Sequence, residues 1–391
     1  MKLRKLSCLF TLVLAMSVTA SAAETEAVSE AAISAAVDMD TAKWSDYVMQ
    51  INDEIYQFPM SYEDLTAMGW VADDVEGVEL EPYQYSLFRF ERDDVKATVS
   101  LVNLGINTLA ADSCIVGGMD IDNFDWEMGE GSIVLPGGIA RGEATIESVQ
   151  EAYGTPSNTY EGDMYTKLTY ETDYNSSINL YIYKESGVLE DIEIENFVQP
   201  EGFEAGEVSE EMPEAVTSYE RPETLSEDMT AYEIELDGKV YTLPVPVSVL
   251  LEDGWELETE NTDAYIAGAY YGWAGLRKGG QSFSTIVVNR EPAATLPQNC
   301  WIEELEVGGY TLELDGALPG GVAIGMKESE FLALLEKNDM DYEVESSGDF
   351  SYYTYNELDY DQCCKVIVYT GSDGHFEKDT VSEVACSNAF E

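Results

Sequence analysis

The stretch LPGGIARGEATIESVQEAYGTP, residues 135–156, predicts a turn followed by a short helix. Thr145 is the predicted N-cap of that helix, because a Thr hydroxyl can accept a hydrogen bond from a free backbone N–H group of the first turn. Val149, Ala152 and Tyr153 recur at helical spacing, so we expect them to share one face of the helix. The stretch therefore predicts a capped helix with one apolar face.

The glycines of this stretch could instead form a ligand loop, and the second half of the chain argues against it. Gly154 ends the predicted helix and Pro156 prevents its continuation. The helical face recurs at Phe331, Leu334 and Leu335, but without a Gly-x-Pro stop. A phosphate loop would also need a Lys-Ser or Lys-Thr pair after its glycines. We interpret the glycines as turns and helix stops.

The chain contains two collinear copies of one residue pattern. The matched positions are spaced by 183 to 186 residues. The first copy has Tyr56, Pro59, Gly69, Trp70, Cys114, Pro136, Gly137, Gly138 and Gly142, and the second has Tyr241, Pro244, Gly254, Trp255, Cys300, Pro319, Gly320, Gly321 and Gly325. Such regular spacing predicts a tandem duplication. These are residue types that form turns and fill cores, so we expect structural roles for them.

The repeat and the composition together predict five segments. They are a signal peptide at 1–22, a disordered acidic leader at 23–43, copy 1 at 44–198, an acidic Pro-containing linker at 199–229 and copy 2 at 230–391. The linker has too few apolar residues for us to expect it to dock on either copy.

Each copy is predicted to be an α+β module, with an antiparallel β-sheet and short helices. Ile178, Leu180 and Ile182 alternate with polar residues and should face the core of such a sheet. Tyr181 and Tyr183 should face outward, either as a binding face or simply packed against neighbouring strands.

Residues 1–22 carry the features of a bacterial Sec-type export signal. A basic start is followed by an apolar run that is too short for a membrane span, and then by small residues. We place the cleavage between Ala22 and Ala23 and expect a secreted protein.

The charge excludes several classes of partner. The chain has 77 acidic and 19 basic residues and a net charge of −58, which becomes −61 without the three basic residues of the signal. Nucleic acids and anionic membrane surfaces would repel such a chain. A basic protein surface would attract it.

The back half of each copy carries a resemblance. Gly142, Thr145, Val149 and the Gly-Thr-Pro at 154–156, followed by Tyr170 and further strands, are similar to the G-M-T-x-x-x-V-x-x-x-x-G-x-P pattern. That pattern is found in the group of β-lactamase inhibitory protein and the small lipoprotein of the outer-membrane assembly machinery. The resemblance implies a helix pair on an antiparallel sheet and a binding role. The front halves resemble uncharacterised exported proteins of Gram-positive bacteria.

The sequence offers little for catalysis. His375 is the single histidine, and neither a nucleophile motif nor a zinc ligand pattern surrounds it. The cysteines that follow the signal are odd in number, so we expect most of them to be buried thiols. One disulfide is an alternative, and the sequence does not assign its pairing. Asp120-x-Asp122-Asn123-x-Asp125 and Asp359-x-Asp361 leave a calcium site open, although neither fits the EF-hand spacing.

We therefore expect a secreted, non-enzymatic binding protein with two modules, no cofactor and a protein partner that has a basic surface. The alternatives are an extracellular hydrolase that uses carboxylates and a passive cation-binding surface component. The partner's identity, the number of binding modules and the oligomeric state stay open at this point.

The signal predicts where the exported chain begins. Cleavage after Ala22 should leave Ala23 at the N-terminus, or Glu24 if the peptidase cuts one residue later. N-terminal sequencing of protein recovered from the culture medium measures this. An acylated Cys8 at the N-terminus would contradict the assignment.

Overall fold

The computed structural model describes residues 37–389, except 73, 94, 123–131, 311, 360–361 and 373. The described chain consists mainly of antiparallel β-sheets with a few short helices, as the α+β prediction implied. Contacts divide it into unit 1, which ends at Gly206, and unit 2, which begins at Glu207. The predicted signal peptide and its cleavage site lie outside the described residues.

Unit 1 is built from short strands and two α-helices. Its strands are β1 (Val48–Ile51), β2 (Glu54–Gln57), β3 (Met60–Ser61), β4 (Glu79–Leu80), β5 (Tyr85–Arg92), β6 (Val95–Val102), β7 (Leu109–Ala110), β8 (Ile115–Ile121), β9 (Ile133–Leu135), β10 (Ile139–Ala140), β11 (Asn158–Glu161), β12 (Tyr165–Asp173), β13 (Ser176–Tyr183) and β14 (Leu189–Asn196). Its helices are α1 (Tyr62–Ala67) and α2 (Ile146–Tyr153), with 3-10 turns at Trp44–Asp46, Ala111–Ser113 and Pro136–Gly138.

One large sheet organises unit 1. Its strand order is β11-β12-β13-β14-β8-β6-β5, with β3 paired to β8, and a smaller sheet has the order β10-β9-β1-β2. Strand β8 pairs with β14 on one side and with β6 on the other. It therefore joins the front half of the unit to the back half.

The helix in the 135–156 stretch forms as the sequence predicts. The Thr145 hydroxyl accepts from the Ser148 backbone N–H at 3.3 Å, and Gly154 follows the helix with φ +81°. Val149 is buried and the Tyr153 hydroxyl donates to the Pro136 carbonyl at 2.7 Å. Ala152 lies on the same side of the helix as Tyr153, next to Gly137 of the Pro-Gly-Gly turn, and is exposed.

The strand predictions follow the same logic. Ile178, Leu180 and Ile182 on β13 are all buried in the core, as the alternation predicts. Tyr181 and Tyr183 lie on the opposite face and are half-buried.

Unit 2 has a similar order of elements. Its strands are β15 (Glu233–Leu236), β16 (Lys239–Thr242), β17 (Val245–Pro246), β18 (Glu256–Leu257), β19 (Tyr271–Lys278), β20 (Gln281–Val288), β21 (Trp301–Ile302), β22 (Glu304–Gly308), β23 (Gly316–Leu318), β24 (Val322–Ala323), β25 (Tyr342–Ser347), β26 (Phe350–Asp359), β27 (Gln362–Tyr369) and β28 (Thr380–Asn388). Its helices are α3 (Glu214–Thr217), α4 (Val247–Glu252) and α5 (Glu328–Lys337), with 3-10 turns at Thr259–Asn261, Pro297–Asn299 and Pro319–Gly321.

Unit 2 has two five-stranded sheets in place of one large sheet. One has the order β17-β21-β20-β19-β18 and the other β22-β28-β27-β26-β25, and a small sheet has the order β16-β15-β23-β24. The core includes Trp255, Phe331 and Leu335, of which the last two lie on α5.

The segment 199–229 differs from the predicted undocked linker. In unit 1, the Ile106 backbone N–H donates to the Ala205 carbonyl at 2.7 Å. In unit 2, Val216 on α3 is buried, and the Tyr219 hydroxyl donates to the Thr242 carbonyl at 2.9 Å. A few apolar anchors and backbone hydrogen bonds are sufficient to dock a segment that is acidic on average.

The end of the predicted disordered leader also has local structure. The backbone N–H groups of Thr41 and Ala42 both donate to the Asp38 carbonyl, at 3.0 and 2.9 Å, which forms a turn. The leader residues before Val37 lie outside the described part of the chain.

The docked segment makes a prediction about unit 2. A fragment of residues 207–391 should unfold cooperatively at a higher temperature than a fragment of residues 230–391, because the longer one keeps the contacts of Val216 and Tyr219. Thermal unfolding followed by circular dichroism measures both fragments. Equal midpoints would show that the 207–229 segment adds nothing to the stability of unit 2.

Candidate functional site

The shared aromatic residues of the two copies lie in the cores. Trp70 and Trp255 are 1% and 2% exposed. In unit 1, the Trp70 indole donates to the Tyr56 hydroxyl at 3.1 Å. In unit 2, the Tyr241 hydroxyl donates instead to the Asp253 carboxylate at 2.8 Å. These side chains are buried anchors and leave no face for a ligand.

The polar pair Asn103 and Asn289, which lie 186 residues apart, also has a structural role. The Asn103 amide donates to the carbonyls of Leu80 and Asn107 at 2.9 and 2.8 Å. The Asn289 amide donates to the carbonyls of Ala267 and Ala293 at 2.9 and 2.8 Å. Each amide therefore ties a loop to a strand end, because buried backbone carbonyls need donors.

The shared glycines and prolines form turns. The glycines have φ between +74° and +93°, a region that glycine enters without a steric penalty; they are Gly69, Gly137, Gly138, Gly142, Gly254, Gly320, Gly321 and Gly325. Pro59 and Pro244 follow cis peptide bonds, and Pro136 and Pro319 each open a 3-10 turn. The repeated pattern thus holds the backbone in shape.

The candidates for chemistry are not brought together. His375 is exposed and stacks on Tyr310, with 4.5 Å between the ring centroids. Cys114 and Cys300 are buried thiols, and each donates to a backbone carbonyl four residues before it. In the described parts of the chain, no group of three or more His, Cys, Asp or Glu residues could hold a metal ion. Asp361 and residues 123–125 of the two calcium candidates lie outside those parts.

A cluster of carboxyl groups occupies the outer face of the large sheet in unit 1. Asp120 on β8 lies opposite Glu193 on β14. Burial, and then the negative charge of Glu193, raise the pKa of Asp120 to about 8. Burial, and again Glu193, raise the pKa of Glu195 to about 7. Carboxyl groups crowded in this way bind protons at neutral pH.

The outward tyrosines of unit 1 belong to this cluster. The Tyr181 hydroxyl donates to Glu193 at 3.0 Å, and the Tyr183 hydroxyl donates to Asp191 at 2.6 Å. Both rings also contact Tyr165, with centroid distances of 5.2 and 5.9 Å. Cross-strand packing and hydrogen bonding thus account for their positions.

The two units differ most at the strand that joins their halves. In unit 1, β8 pairs with β6 from Val102 opposite Ile115 to Thr98 opposite Asp120, with an irregular register around Gly117. A Cβ atom on Gly117 would lie 2.4 Å from the Phe197 ring, and one on Gly118 would lie 2.1 Å from the Ile194 carbonyl oxygen. Only glycine fits between the neighbouring strands here.

Glutamates occupy these places in unit 2. Glu303 and Glu304 lie 186 residues after the two glycines, and at this point the chain is divided into β21 and β22. Strand β20 pairs with β21 only at Val287 and Val288. Residues 281–286 pair with β19 alone, as far as the described residues show. The larger side chains thus coincide with an opening between β20 and β22.

A cleft of about 750 Å³ lies at this opening. At one end, the Thr285 hydroxyl donates to the Glu304 carbonyl at 3.4 Å; at the other, the Gln281 side-chain carbonyl accepts from the Glu313 backbone N–H at 3.1 Å. The cleft is lined by Tyr271, Trp273, Phe283, Ser284, Thr285, Ile286, Val288, Glu303, Glu304, Glu306, Gly308, Leu312, Lys365, Ser387 and Ala389. Its volume is in the usual range for a binding pocket.

Three large apolar side chains stand exposed on the cleft wall. Trp273 is 51% exposed, Tyr271 is 50% exposed and Ile286 is 46% exposed. Trp273 lies directly opposite Ile286 across β19 and β20, and Tyr271 is two residues from Trp273 on the same face. We call these three residues the aromatic patch. Aromatic groups that are left in water on a rigid sheet are typical of binding surfaces.

The cleft has an excess of negative charge. Its lining includes three glutamates and a single cationic residue, Lys365, which lies 3.3 Å from Glu304. Glu303 is paired with Arg290 at 2.6 Å. Burial, and then a hydrogen bond with Glu306, raise the pKa of Glu383 to about 8.

The aromatic patch was missed by the sequence reasoning. Tyr271 and Trp273 alternate along one strand, and this signal is visible in the sequence, but the same alternation describes a buried face equally well. Their exposure depends on which side of the β19–β20 pair packs against the core, and that is a long-range feature.

The chain matches no protein-family model, no curated protein and no solved structure. The resemblance to the β-lactamase inhibitory protein group therefore stays a prediction. No α-helix in the described residues is long and apolar enough to cross a membrane.

The raised pKa of Asp120 predicts how the stability changes with pH. The folded chain holds a proton on Asp120 up to about pH 8, whereas the unfolded chain releases it near the ordinary value of 3.8. The free energy of unfolding should therefore fall as the pH rises between these two values. Asp120→Asn should reduce this fall by about 2 kcal/mol, since one pKa unit corresponds to about 1.4 kcal/mol and solvent access weakens the shift.

Urea unfolding at pH 5 and pH 8 measures this effect. The control is Asp163→Asn, at an exposed position in the same unit. The stability of this variant should depend on pH in the same way as that of the wild type. An unchanged pH dependence in Asp120→Asn would contradict the assignment of the proton to Asp120.

Proposed function

We propose that this chain is an exported tandem duplication of one α+β module and that it acts by binding another protein. We further propose that the cleft and aromatic patch of unit 2 form the binding surface. The observation that carries the proposal is the exposed aromatic patch beside an acidic cleft. The residues matched between the two predicted copies form turns or lie in the cores, and so they offer no binding surface.

Local structure that recurs at the repeat spacing supports the duplication. Asn103 and Asn289 have the same hydrogen-bonding pattern, and Gly137 and Gly320 have the same φ of +74°. Near the end of each unit, an Asn amide donates to the carbonyl before a proline: Asn196 to Phe58 at 2.7 Å, and Asn388 to Leu243 at 2.6 Å. Independent folds would have no reason to share such details.

The chemistry of the surface indicates the kind of partner. The patch offers Trp273 and Tyr271 as rigid anchors, and such residues carry much of the energy in protein interfaces. Glu306 in the cleft would bind a Lys or Arg side chain, whereas Glu304 is already paired with Lys365. We therefore propose a partner segment with alternating apolar and basic side chains. The net charge of −61 after removal of the signal would speed its approach at low salt.

A hydrolase is the main rival. Asp120, which keeps a proton near neutral pH, could in principle serve as a general acid. However, Glu193, beside it, already accepts hydrogen bonds from Asn179 and Tyr181 at 3.0 Å each. The passive cation-binding component is supported by charge alone, which any acidic secreted protein shares. The aromatic patch favours binding over both alternatives.

Selection of displayed peptides on the immobilised chain tests the proposal. We expect the selected peptides to be rich in Lys or Arg and in apolar residues. Their affinity should fall about 10- to 30-fold in Trp273→Ala, which removes a central anchor. It should also fall with added salt, because the attraction is between opposite charges.

Val344→Ala is the matched control, since Val344 is 51% exposed on β25 of the same unit and does not line the cleft. It should bind as the wild type does. Equal losses in both variants would reject the aromatic patch as the binding surface. Turnover of a polysaccharide or peptide that is lost in Asp120→Asn would reject the binding function in favour of the hydrolase.

A further inference from the structure

Two cysteines of unit 2 face each other across neighbouring strands. Cys364 on β27 lies directly opposite Cys386 on β28. The Cys364 thiol donates to the Cys386 sulfur, with 3.8 Å between the two Sγ atoms. Both side chains are buried in the apolar core, at 0% and 1% exposure. Both are free thiols in this structure.

The backbone at this pair suits a disulfide. Directly opposite residues in an antiparallel pair have Cα atoms about 4.5 or 5.5 Å apart, depending on the hydrogen-bonding pattern. A disulfide accepts Cα separations of roughly 4.4 to 6.8 Å. The strands can therefore stay where they are, and closure requires only rotation of the two side chains.

The other cysteines cannot replace either member of the pair. Cys363 precedes Cys364 on the same strand, so its side chain points to the opposite face, where its Sγ lies 3.3 Å from the Ser387 hydroxyl. Cys300 lies in the turn before β21 and donates to the Leu296 carbonyl at 3.7 Å. Cys114 belongs to unit 1.

The cysteine pair can be compared with the residues at the matching cross-strand positions of the large sheet in unit 1. There, Ile178 lies opposite Ile194, between Tyr170 on one side and Met119 on the other. In unit 2, the corresponding row has Tyr355 beside Cys364 and Leu305 beside Cys386. Both members of the aliphatic pair of unit 1 are thus replaced by cysteines in unit 2.

We infer that Cys364 and Cys386 are a site of covalent modification, and that they form a disulfide that links β27 to β28 when the chain folds under oxidising conditions. The two thiols lose two protons and two electrons. A small-molecule or protein disulfide accepts them and leaves as two thiols. The oxidant is therefore of the disulfide class, as found where exported proteins fold.

The bond has to form before the core closes. In the folded unit, the hydrogen bond with Cys364 and then burial raise the pKa of the Cys386 thiol far above its usual range. Little thiolate is therefore present to attack an oxidant, and no reagent reaches the pair. Partly folded chains, in which the strands have paired but the core is open, are the reacting species.

The link would strengthen the floor of the cleft. Lys365 and Ser387 follow the two cysteines directly, point to the other face of the sheet and line the cleft. Holding β27 against β28 would fix these two side chains relative to each other. The disulfide is inferred from the geometry of the core and does not depend on the proposed binding function.

Oxidative refolding of the full chain tests the inference. The chain is unfolded, reduced, and refolded in a mixture of reduced and oxidised glutathione; it is then unfolded again without reductant, alkylated, and digested without reduction. Mass spectrometry should find one linked peptide pair that contains Cys364 and Cys386 and is two hydrogens lighter than the two thiol peptides. Cys363→Ala should keep this link and Cys364→Ala should lose it.

Stability gives a second measurement that does not require the single variant to fold. The double variant Cys364→Ile and Cys386→Ile copies the row of unit 1 and should unfold at the same temperature with and without reductant. The oxidatively refolded wild type should lose several degrees in its unfolding midpoint on reduction. Full alkylation of Cys364 and Cys386 after oxidative refolding would overturn the inference. So would a disulfide between Cys386 and another cysteine that forms to the same extent in Cys364→Ala.

Discussion

The pairing of β8 with two neighbours is the interaction on which the structure of unit 1 depends. The strand lies between β6 of the front half and β14 of the back half, and it makes one sheet out of two. The close approach of its neighbours is tolerated because Gly117 and Gly118 have no side chains. In unit 2, the residues 186 positions after these glycines are Glu303 and Glu304. There the joining strand is divided into β21 and β22. The two units have similar turns and differ in how their halves are joined.

The local structure could be predicted from the sequence, because it depends on nearby residues. Thr145 caps α2, Gly154 ends it and the alternating Ile178, Leu180 and Ile182 are buried, all as expected. The features that were missed depend on contacts between distant segments. The docking of Val216 was missed because a single buried side chain has little effect on the average composition of an acidic segment.

The same limit applies to the candidate site. The shared Asn, Gly and Trp residues pointed away from chemistry, and their contacts agree with structural roles. Nothing in the sequence pattern distinguishes a few functional carboxylates among the 77 acidic residues. Burial among other carboxylates distinguishes Asp120 and Glu383, and burial is a property of the folded chain. The exposure of Trp273 is likewise a property of the folded chain, and it places the patch beside the cleft in unit 2, as the proposed binding requires.

Hydrogen exchange at β6 and β20 tests most directly the claim that the sheet is continuous in unit 1 and open in unit 2. Residues 98–102 of β6 are paired on both sides, whereas residues 281–286 of β20 are paired on one side only among the described residues. The account predicts that peptides covering 281–286 take up deuterium at least about tenfold faster than peptides covering 98–102, because unpaired strand edges exchange without unfolding. Equal protection of the two strands would contradict it, since the cleft would then be closed in solution and the aromatic patch would lose its neighbouring pocket.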